Sequence, residues 1–323
     1  MEVKISIVIP TYKRPNLLKR CLIQLIKQSV DISFFEVIVV SDGPDRETQL
    51  LIDETVAKGV INLKFISSDV KMGPAHARNI GWLAAKGELI AFTDDDCMPD
   101  PDWLKAILDN YKGEKFIAYS GKTIVPISRR PHDFELNTGR LQDADFITAN
   151  CACTKQALIR IGGFDVRFKL AWREDSDLEF KLIEQGIPIV TLHEARVVHP
   201  VRKCQWAVSV KEQKKVIYDA LLFKKYPALY RRKIANGTAW NYYLILLFTL
   251  LSVYAVYKEM PYVAFVCLLL VVGFILSFTW KRLKYADKSL RHVAEMFITS
   301  VIIPYVAVYW KTYGAIKFRV MLL

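Results

Sequence analysis

Over the first 200 residues the chain alternates between two hydrophobic periods. Residues 5–9 are a short β-branched run of the kind that forms a buried strand, and residues 11–15 turn the chain. Leu17, Leu18, Cys21, Leu22, Leu25 and Ile26 then recur at helical spacing. A second strand is predicted at 35–40, ending at Ser41-Asp42-Gly43-Pro44. A helix over about 47–57 and a strand at 61–66 follow. Gly73-Pro74 opens a helix that runs to Ala85, and Gly87 leads into a strand at 88–92. This order predicts an α/β domain on a doubly wound, mostly parallel sheet, with ligands at the carboxyl ends of the strands. Asp42 and Asp94–Asp96 fall at two of those ends.

The next hundred residues are less regular. One or two strands are expected at 116–125, a polar, proline-interrupted mobile loop at 128–138, and a strand at 145–153. A short helix at 155–161 is closed by Gly162-Gly163, and a helix at 174–185 by Gly186. Short strands are expected at 187–190 and 195–198. Residues 209–223 read as a basic, partly amphipathic helix suited to a bilayer surface.

Near Ala239 the pattern changes abruptly. Residues 239–257 and 261–280 are each close to the roughly 20 residues needed to span a bilayer. Only Lys258-Glu259-Met260 separates them, which predicts a tight hairpin, with Trp240, Tyr242, Tyr243, Tyr262 and Trp280 suited to the interfaces. A third apolar stretch, 293–310, contains Glu295 and Pro304 and has basic residues on both sides. It either crosses or lies as an interfacial or re-entrant helix, and the doubly basic flanks favour the second arrangement. The expected organisation is a catalytic domain at 1–200, a basic juxtamembrane region at 201–238 and a membrane domain at 239–323.

The 52% hydrophobic content therefore averages two unlike parts. The formal net charge of +12 admits nucleic acid or an anionic membrane as partner. Its location favours the membrane, because Arg196, Arg202, Lys203, Lys211, Lys214, Lys215, Lys224, Lys225, Arg231, Arg232 and Lys233 directly precede the first apolar run. No nucleic-acid partner is expected, and the catalytic domain is expected on the cytoplasmic side of the cell membrane. None of the six cysteines forms a C-x-x-C pair, so the expectation is reduced thiols without a zinc or redox motif. MEVKISIVIP reads as a first strand and has no signal-peptide pattern.

The central chemical feature is Thr93-Asp94-Asp95-Asp96 after an apolar strand. Three adjacent carboxylates repel one another unless something neutralises them. A divalent cation, Mg²⁺ or Mn²⁺, bridging a nucleotide diphosphate would do so; a solvated acidic turn capping the helix near Pro101 is the alternative. Pro10-Thr11-Tyr12-Lys13-Arg14 and Ser41-Asp42-Gly43 sit at the same strand ends. The segment from Lys71 through Gly73 and Arg78 to Gly81 begins a helix whose N-terminus favours anions, although its small residues also permit close packing on the sheet. Glu174 and Asp175 start a helix, either to complement its dipole or to supply Asp175 as a general base.

Taken in order, P-T-Y-K-R, S-D-G, G-P-A-H-A-R-N-I-G, D-D-D, G-G-F-D and E-D-S-D-L resemble glycosyltransferase family 2 with its GT-A fold, in the membrane-anchored bacterial or archaeal form. The resemblance covers about residues 1–200. It implies that Asp94 and Asp96 bind the metal and the nucleotide sugar, with Asp95 sharing the role. It implies that Asp42 helps hold the nucleotide base and that Asp175, paired with Glu174, is the base. Pro10, Thr11, Tyr12, Arg14, Gly73 and Arg78 would line the donor site. His199 would be a further metal ligand, by likeness to some GT-A enzymes, or else a histidine hydrogen-bonded at a strand end. The Q-x-x-R-W motif of processive members is missing, since 201–206 reads V-R-K-C-Q-W.

The implied activity is inverting, non-processive transfer of a hexosyl or N-acetylhexosaminyl group from a UDP- or GDP-linked donor. The acceptor would be membrane-associated and lipid-linked, in glycan, polysaccharide or glycolipid biosynthesis. A polyprenyl-phosphate glycosyltransferase is the alternative. A sugar nucleotidyltransferase is disfavoured because residues 9–15 hold no glycine. An inactive sugar-binding protein is disfavoured by the intact acidic set.

Overall fold

The computed structural model describes residues 3–235, 237 and 239–321. Met1, Glu2, Asn236, Thr238, Leu322 and Leu323, which fall in the segments expected at 1–200, 201–238 and 239–323, lie outside the described residues. The chain divides into two compact units. One is Met1–Pro126 with Arg140–Val201, and the other is Ile127–Gly139 with Arg202–Leu323.

In the first unit, β1 (Ile5–Thr11), α1 (Pro15–Ile26), β2 (Phe35–Ser41), α2 (Arg46–Ala57), β3 (Leu63–Ser67), α3 (Pro74–Ala84) and β4 (Leu89–Phe92) alternate as the hydrophobic pattern predicts. β5 (Met98–Pro99), α4 (Trp103–Asn110) and β6 (Ala118–Ile124) follow. After α5 (Asp133–Gly139), which belongs to the second unit, come β7 (Cys151–Thr154), α6 (Lys155–Ile161), α7 (Glu174–Glu184) and β8 (Ile189–Val198). The sheet order is β3-β2-β1-β4-β7-β6-β8-β5. β1, β2, β3 and β4 pair in parallel, whereas β7 is antiparallel to both β4 and β6.

Burial on both faces explains the continuous apolar strands. Ile5, Ile7, Ile9, Val37, Val39, Leu89 and Ala91 pack into one core layer. Their alternate neighbours Val8, Ile38, Val40, Ile90 and Phe92 pack into the other. Helix ends follow local chemistry. The Asp45 carboxylate accepts the Thr48 amide at the start of α2, and Thr154 Oγ1 accepts the Ala157 amide at the start of α6. Gly162 closes α6 in the left-handed region, at φ 72°.

Two local expectations change within this unit. The strands expected at 187–190 and 195–198 are one strand, β8, which pairs with β6 through a register shift at Gly121/Lys122. The Asn150 side chain spans that shift, accepting from Trp103 Nε1 (2.9 Å) and donating to the Lys122 and Ala195 carbonyls (3.1 and 2.9 Å). The strand expected at 145–153 forms only over β7, because the chain before it turns, with the Asn150 amide donating to the Ile147 carbonyl.

In the second unit, the segment expected as a mobile loop at 128–138 contains the helix α5. Asp133 at its start is ion-paired with Arg282 (2.8 Å), and His132 Nδ1 lies 3.0 Å from His292 Nδ1. The single helix expected at 209–223 is α8 (Val208–Glu212), a 3₁₀ turn at Gln213–Val216 and α9 (Ile217–Lys225). α10 (Pro227–Lys233) follows. α11 (Trp240–Tyr257) and α12 (Pro261–Leu283) form the expected hairpin, joined by Ser252 Oγ donating to the Ala264 carbonyl (3.1 Å) and by stacked Phe248 and Phe274. The third apolar stretch is a continuous helix, α13 (Leu290–Phe318), of 29 residues. α11, α12 and α13 are each long and apolar enough to cross a membrane.

Candidate active site

The first unit gathers the acidic residues at the carboxyl edge of β1, β2 and β4. The three carboxylates after β4 point at three different partners, which relieves the repulsion that their adjacency implies. Asp94 takes Arg78 Nη2 at 2.7 Å. Asp95 turns toward β1, accepting from Thr11 Oγ1 at 2.8 Å with Arg14 Nη1 at 3.4 Å. Asp96 lies 3.8 Å from His199 Nε2. Burial pushes the Asp95 carboxyl up to about 6, against the pull of Arg14.

Arg78 is the hub. Its side chain is 3% exposed, its Nη1 reaches Glu174 Oε1 at 3.2 Å, and its guanidinium lies 5.7 Å from the Phe164 ring centroid. Burial works against its charge, but Asp94 and Glu174 together raise its pKa above the usual value. Glu174 begins α7 behind Arg173, which adopts a left-handed φ of 72°. Burial and the neighbouring Asp175 raise Glu174 to about 7, opposed by Arg78, and Glu174 Oε2 is buried without a hydrogen-bond partner. Asp175 is half-buried; its Oδ1 accepts the Ser176 amide at 2.7 Å, and burial raises its pKa as well.

A cation can be held beside this hub. One ligand atom from each of Asp94, Asp96, Cys97 and His199 lies within 4.8 Å of the others. Donors on opposite sides of a small divalent cation stand about 4–5 Å apart, so the spacing fits. His199 is 7% exposed and its Nδ1 is buried with no hydrogen-bond partner. Burial and then Asp94 and Asp96 keep the Cys97 thiol well above its usual pKa, and its soft sulfur suits Mn²⁺ or Mg²⁺ less than oxygen and imidazole donors do. The effective set is two carboxylates and an imidazole, which suits Mn²⁺ or Mg²⁺.

Around β2 the geometry is different. Asp42 is buried, and its carboxylate accepts the Met72 and Gly73 amides at 2.8 and 2.9 Å. It thereby fixes the turn into α3. Gly73 has φ 102°, and a Cβ there would lie 2.4 Å from the Lys169 carbonyl oxygen. Lys71 Nζ sits 4.1 Å over the Tyr12 ring, and a Cβ on Gly43 would approach that ring to 3.1 Å. Pro10 pairs with Val40 within the sheet.

The structure thus brings Thr11, Arg14 and Asp95 into one group, Arg78, Asp94 and Glu174 into a second, and Asp96 with His199 into a third. Asp95 stands outside the metal-competent group, and Asp42 is committed to backbone amides. Sequence reasoning missed Cys97, which has no paired cysteine to signal it, and the span from Arg78 to Glu174 across 96 residues. It also missed Asp45, which takes the Lys13 amide as well as capping α2. The D-x-x-T capping pattern was the available signal.

The chain is similar to known glycosyltransferases. A validoxylamine A glucosyltransferase of Streptomyces hygroscopicus subsp. jinggangensis is 25% identical over 233 residues, covering 59% of this chain and 54% of that protein. A glucosyl-dolichyl phosphate glucuronosyltransferase of Haloferax volcanii is 25% identical over 135 residues, 41% of this chain and 42% of that protein. The chain thus spans about half the length of these relatives. The solved structure of the mannosyltransferase PcManGT from Pyrobaculum calidifontis, in complex with GDP-Man and Mn²⁺, shares the fold. Its TM-score is 0.57 at 16% identity, covering 98% of this chain and 88% of that one. Residues 6–170, just over half of the 323, match the family model of Glycosyl transferase family 2, and the chain belongs to that family.

Proposed function

We propose that this glycosyltransferase moves one hexosyl or N-acetylhexosaminyl group per encounter from a UDP- or GDP-linked donor to a lipid-linked acceptor, inverting the anomeric centre. The observation that carries the reading is the Arg78–Asp94–Glu174 hub, together with the Asp96–His199 pair and with Asp175 next to Glu174 in the chain. In the same chain, three helices are long and apolar enough for a membrane. The name of the Haloferax relative, which describes a lipid-linked sugar, supports the acceptor class. The basic residues between 202 and 233 support a cytoplasmic placement of the catalytic unit.

In this reading Asp175 accepts the proton of the acceptor hydroxyl as that oxygen bonds to the anomeric carbon. The bond from that carbon to the diphosphate oxygen breaks, and the nucleoside diphosphate leaves with the electron pair. Asp94, Asp96 and His199 would hold the divalent cation, which would supply Lewis-acid stabilisation of the charge developing on the diphosphate. Arg78 holds Asp94 and Glu174 in place. Thr11, Tyr12, Arg14, Asp42, Gly73 and Asp95 shape the donor side, with Asp42 acting through the turn that it fixes and Asp95 through Thr11 and Arg14, whose side chains it holds.

Calorimetry of nucleotide sugars against the detergent-purified chain tests this. Binding of one donor with Mn²⁺, lost on chelation and restored by Mn²⁺, is expected. Donor affinity indifferent to chelation would remove the cation from the reading. Transfer to a polyprenyl phosphate and not to a lipid-linked sugar would reassign the acceptor.

A further inference from the structure

Length and composition allow α13 to cross a bilayer, but its neighbours within the second unit argue against it. From Glu295 to Phe318 it is accompanied by the segment 207–224. Glu295 Oε1 accepts the Ala207 amide at 2.8 Å, Lys214 Nζ lies 5.5 Å from the Trp310 ring centroid, and Lys224 Nζ donates to the Phe318 carbonyl at 2.8 Å. A Cβ on Gly314 would lie 2.9 Å from the Ile217 carbonyl oxygen, so α13 and α9 touch at backbone distance. The accompanying segment contains Lys211, Glu212, Lys214, Lys215 and Lys224. A crossing α13 would take these charges through hydrocarbon with it, which membrane-spanning segments avoid.

The contacts of α13 with the hairpin give its depth. Arg282, at the end of α12, donates to Thr299 and Ser300 (2.7 and 3.1 Å). Val301 and Tyr305 pack against Ile245, Phe248, Val271, Phe274 and Ile275, and Tyr305 Oη meets Thr249 Oγ1 at 2.8 Å. After Tyr305 the helix rises again, because Lys311 Nζ lies 5.5 Å from the ring of Tyr243, close to the start of α11. Thr249 is nine residues into α11 from Trp240, about 13 Å of helix, under half of the roughly 30 Å hydrocarbon core. The distal hairpin stays bare, with Phe265, Leu268 and Leu269 each more than half exposed. Pro304, which removes a backbone donor, sits at the deepest part of α13.

The outward face names what covers it. Ile298, Ile302, Tyr309, Tyr313 and Ile316 are exposed at helical spacing, while Met296, Thr299, Ile303, Ala307 and Gly314 face inward. No charged residue occurs between Glu295 and Lys311, and Lys311, Lys317 and Arg319 follow at the end. We infer that α13, with α8 and α9, lies along one face of an anionic bilayer. Its apolar stripe dips into the acyl boundary and its lysines meet lipid phosphates, and only α11 and α12 cross. The inference rests on the hairpin crossing and is independent of the proposed transfer reaction.

Thiol labelling of the full chain in sealed vesicles of both orientations tests it, with the exposed native Cys204 as reference. Met321→Cys, at an exposed position, should react with a membrane-impermeant maleimide from the same side as Cys204, and Lys258→Cys only from the opposite side. Ile302→Cys should lose its labelling in vesicles and stay monomeric under an oxidant. Met321→Cys reacting with the Lys258→Cys side would show that α13 crosses. Lys258→Cys reacting with the Cys204 side would remove the hairpin crossing and the inference with it. A disulfide-linked dimer through Ile302→Cys would put a second copy of the chain, and not lipid, on the stripe.

Discussion

Arg78 is the side chain on which the acidic groups of the site most depend. It is the buried cation for both Asp94 and Glu174. Removing one partner of such a group strands the other charges, at a cost of about 3–5 kcal/mol. Arg78→Ala should therefore lower the unfolding free energy measured in urea by an amount of that order, well beyond an ordinary surface change. Asp175→Asn should reduce transfer by about 10²–10⁴-fold while calorimetric donor affinity is kept; wild-type turnover would reassign the base. The pH dependence follows from burial. Glu174 moves from its ordinary 4.5 to about 7 in the folded chain, and Asp175 is raised too. Ionisation of this pair, and so transfer, should increase as pH climbs toward 7. In the same window the folded state keeps a proton at Glu174 that the unfolded chain has already released, so this contribution to stability declines as pH rises from 4.5 to 7. A rate profile and denaturation midpoints over that range should run in opposite directions. The motif residues themselves were legible because chemistry concentrated them at strand ends. Their division of labour was not, since the choice of Arg78 for Asp94 and of Thr11 for Asp95 depends on side-chain directions.

At the scale of elements, the strands with apolar residues on both faces were plain in the sequence, as was α1 with its buried Leu18, Cys21, Leu22 and Leu25. The small residues of α3 were open to two readings, anion binding or packing. Gly81 answers for packing, because a Cβ there would lie 2.3 Å from Val8 Cγ1. Gly81→Ala should cost about 1–3 kcal/mol through overpacking between α3 and β1, read as a lower thermal midpoint. β8 reads as two strands in the sequence because exposed His193 and Glu194 interrupt its apolar pattern where the register with β6 shifts. The partner that repairs the shift, Asn150, lies 45 residues from Ala195, outside any local window. The helix α5 was hidden for the same reason. Its anchors Arg282 and His292 come 149 and 160 residues after Asp133 and His132.

For the molecule as a whole, the break in composition near Ala239 was visible from hydropathy alone, and three apolar helices follow it. The interleaving of the units was not visible. Residues 127–139 interrupt the catalytic unit in sequence and belong with 202–323 in space. A fragment cut after Val201 therefore retains this segment without Arg282 or His292. Limited proteolysis should cleave it between 127 and 139, while the detergent-purified full chain resists there. Arg282→Ala in the full chain should restore part of that cleavage, because Asp133 loses its cation.

The pairing of His132 with His292 also sets a clock for biosynthesis. At a ribosomal rate of about 5–20 residues per second, the 160 residues between them take about 8–30 s to appear. Throughout that interval the 127–139 segment has been made and its partners have not. The nascent catalytic unit must therefore carry an unpaired excursion in its midst until translation has passed both apolar helices of the hairpin.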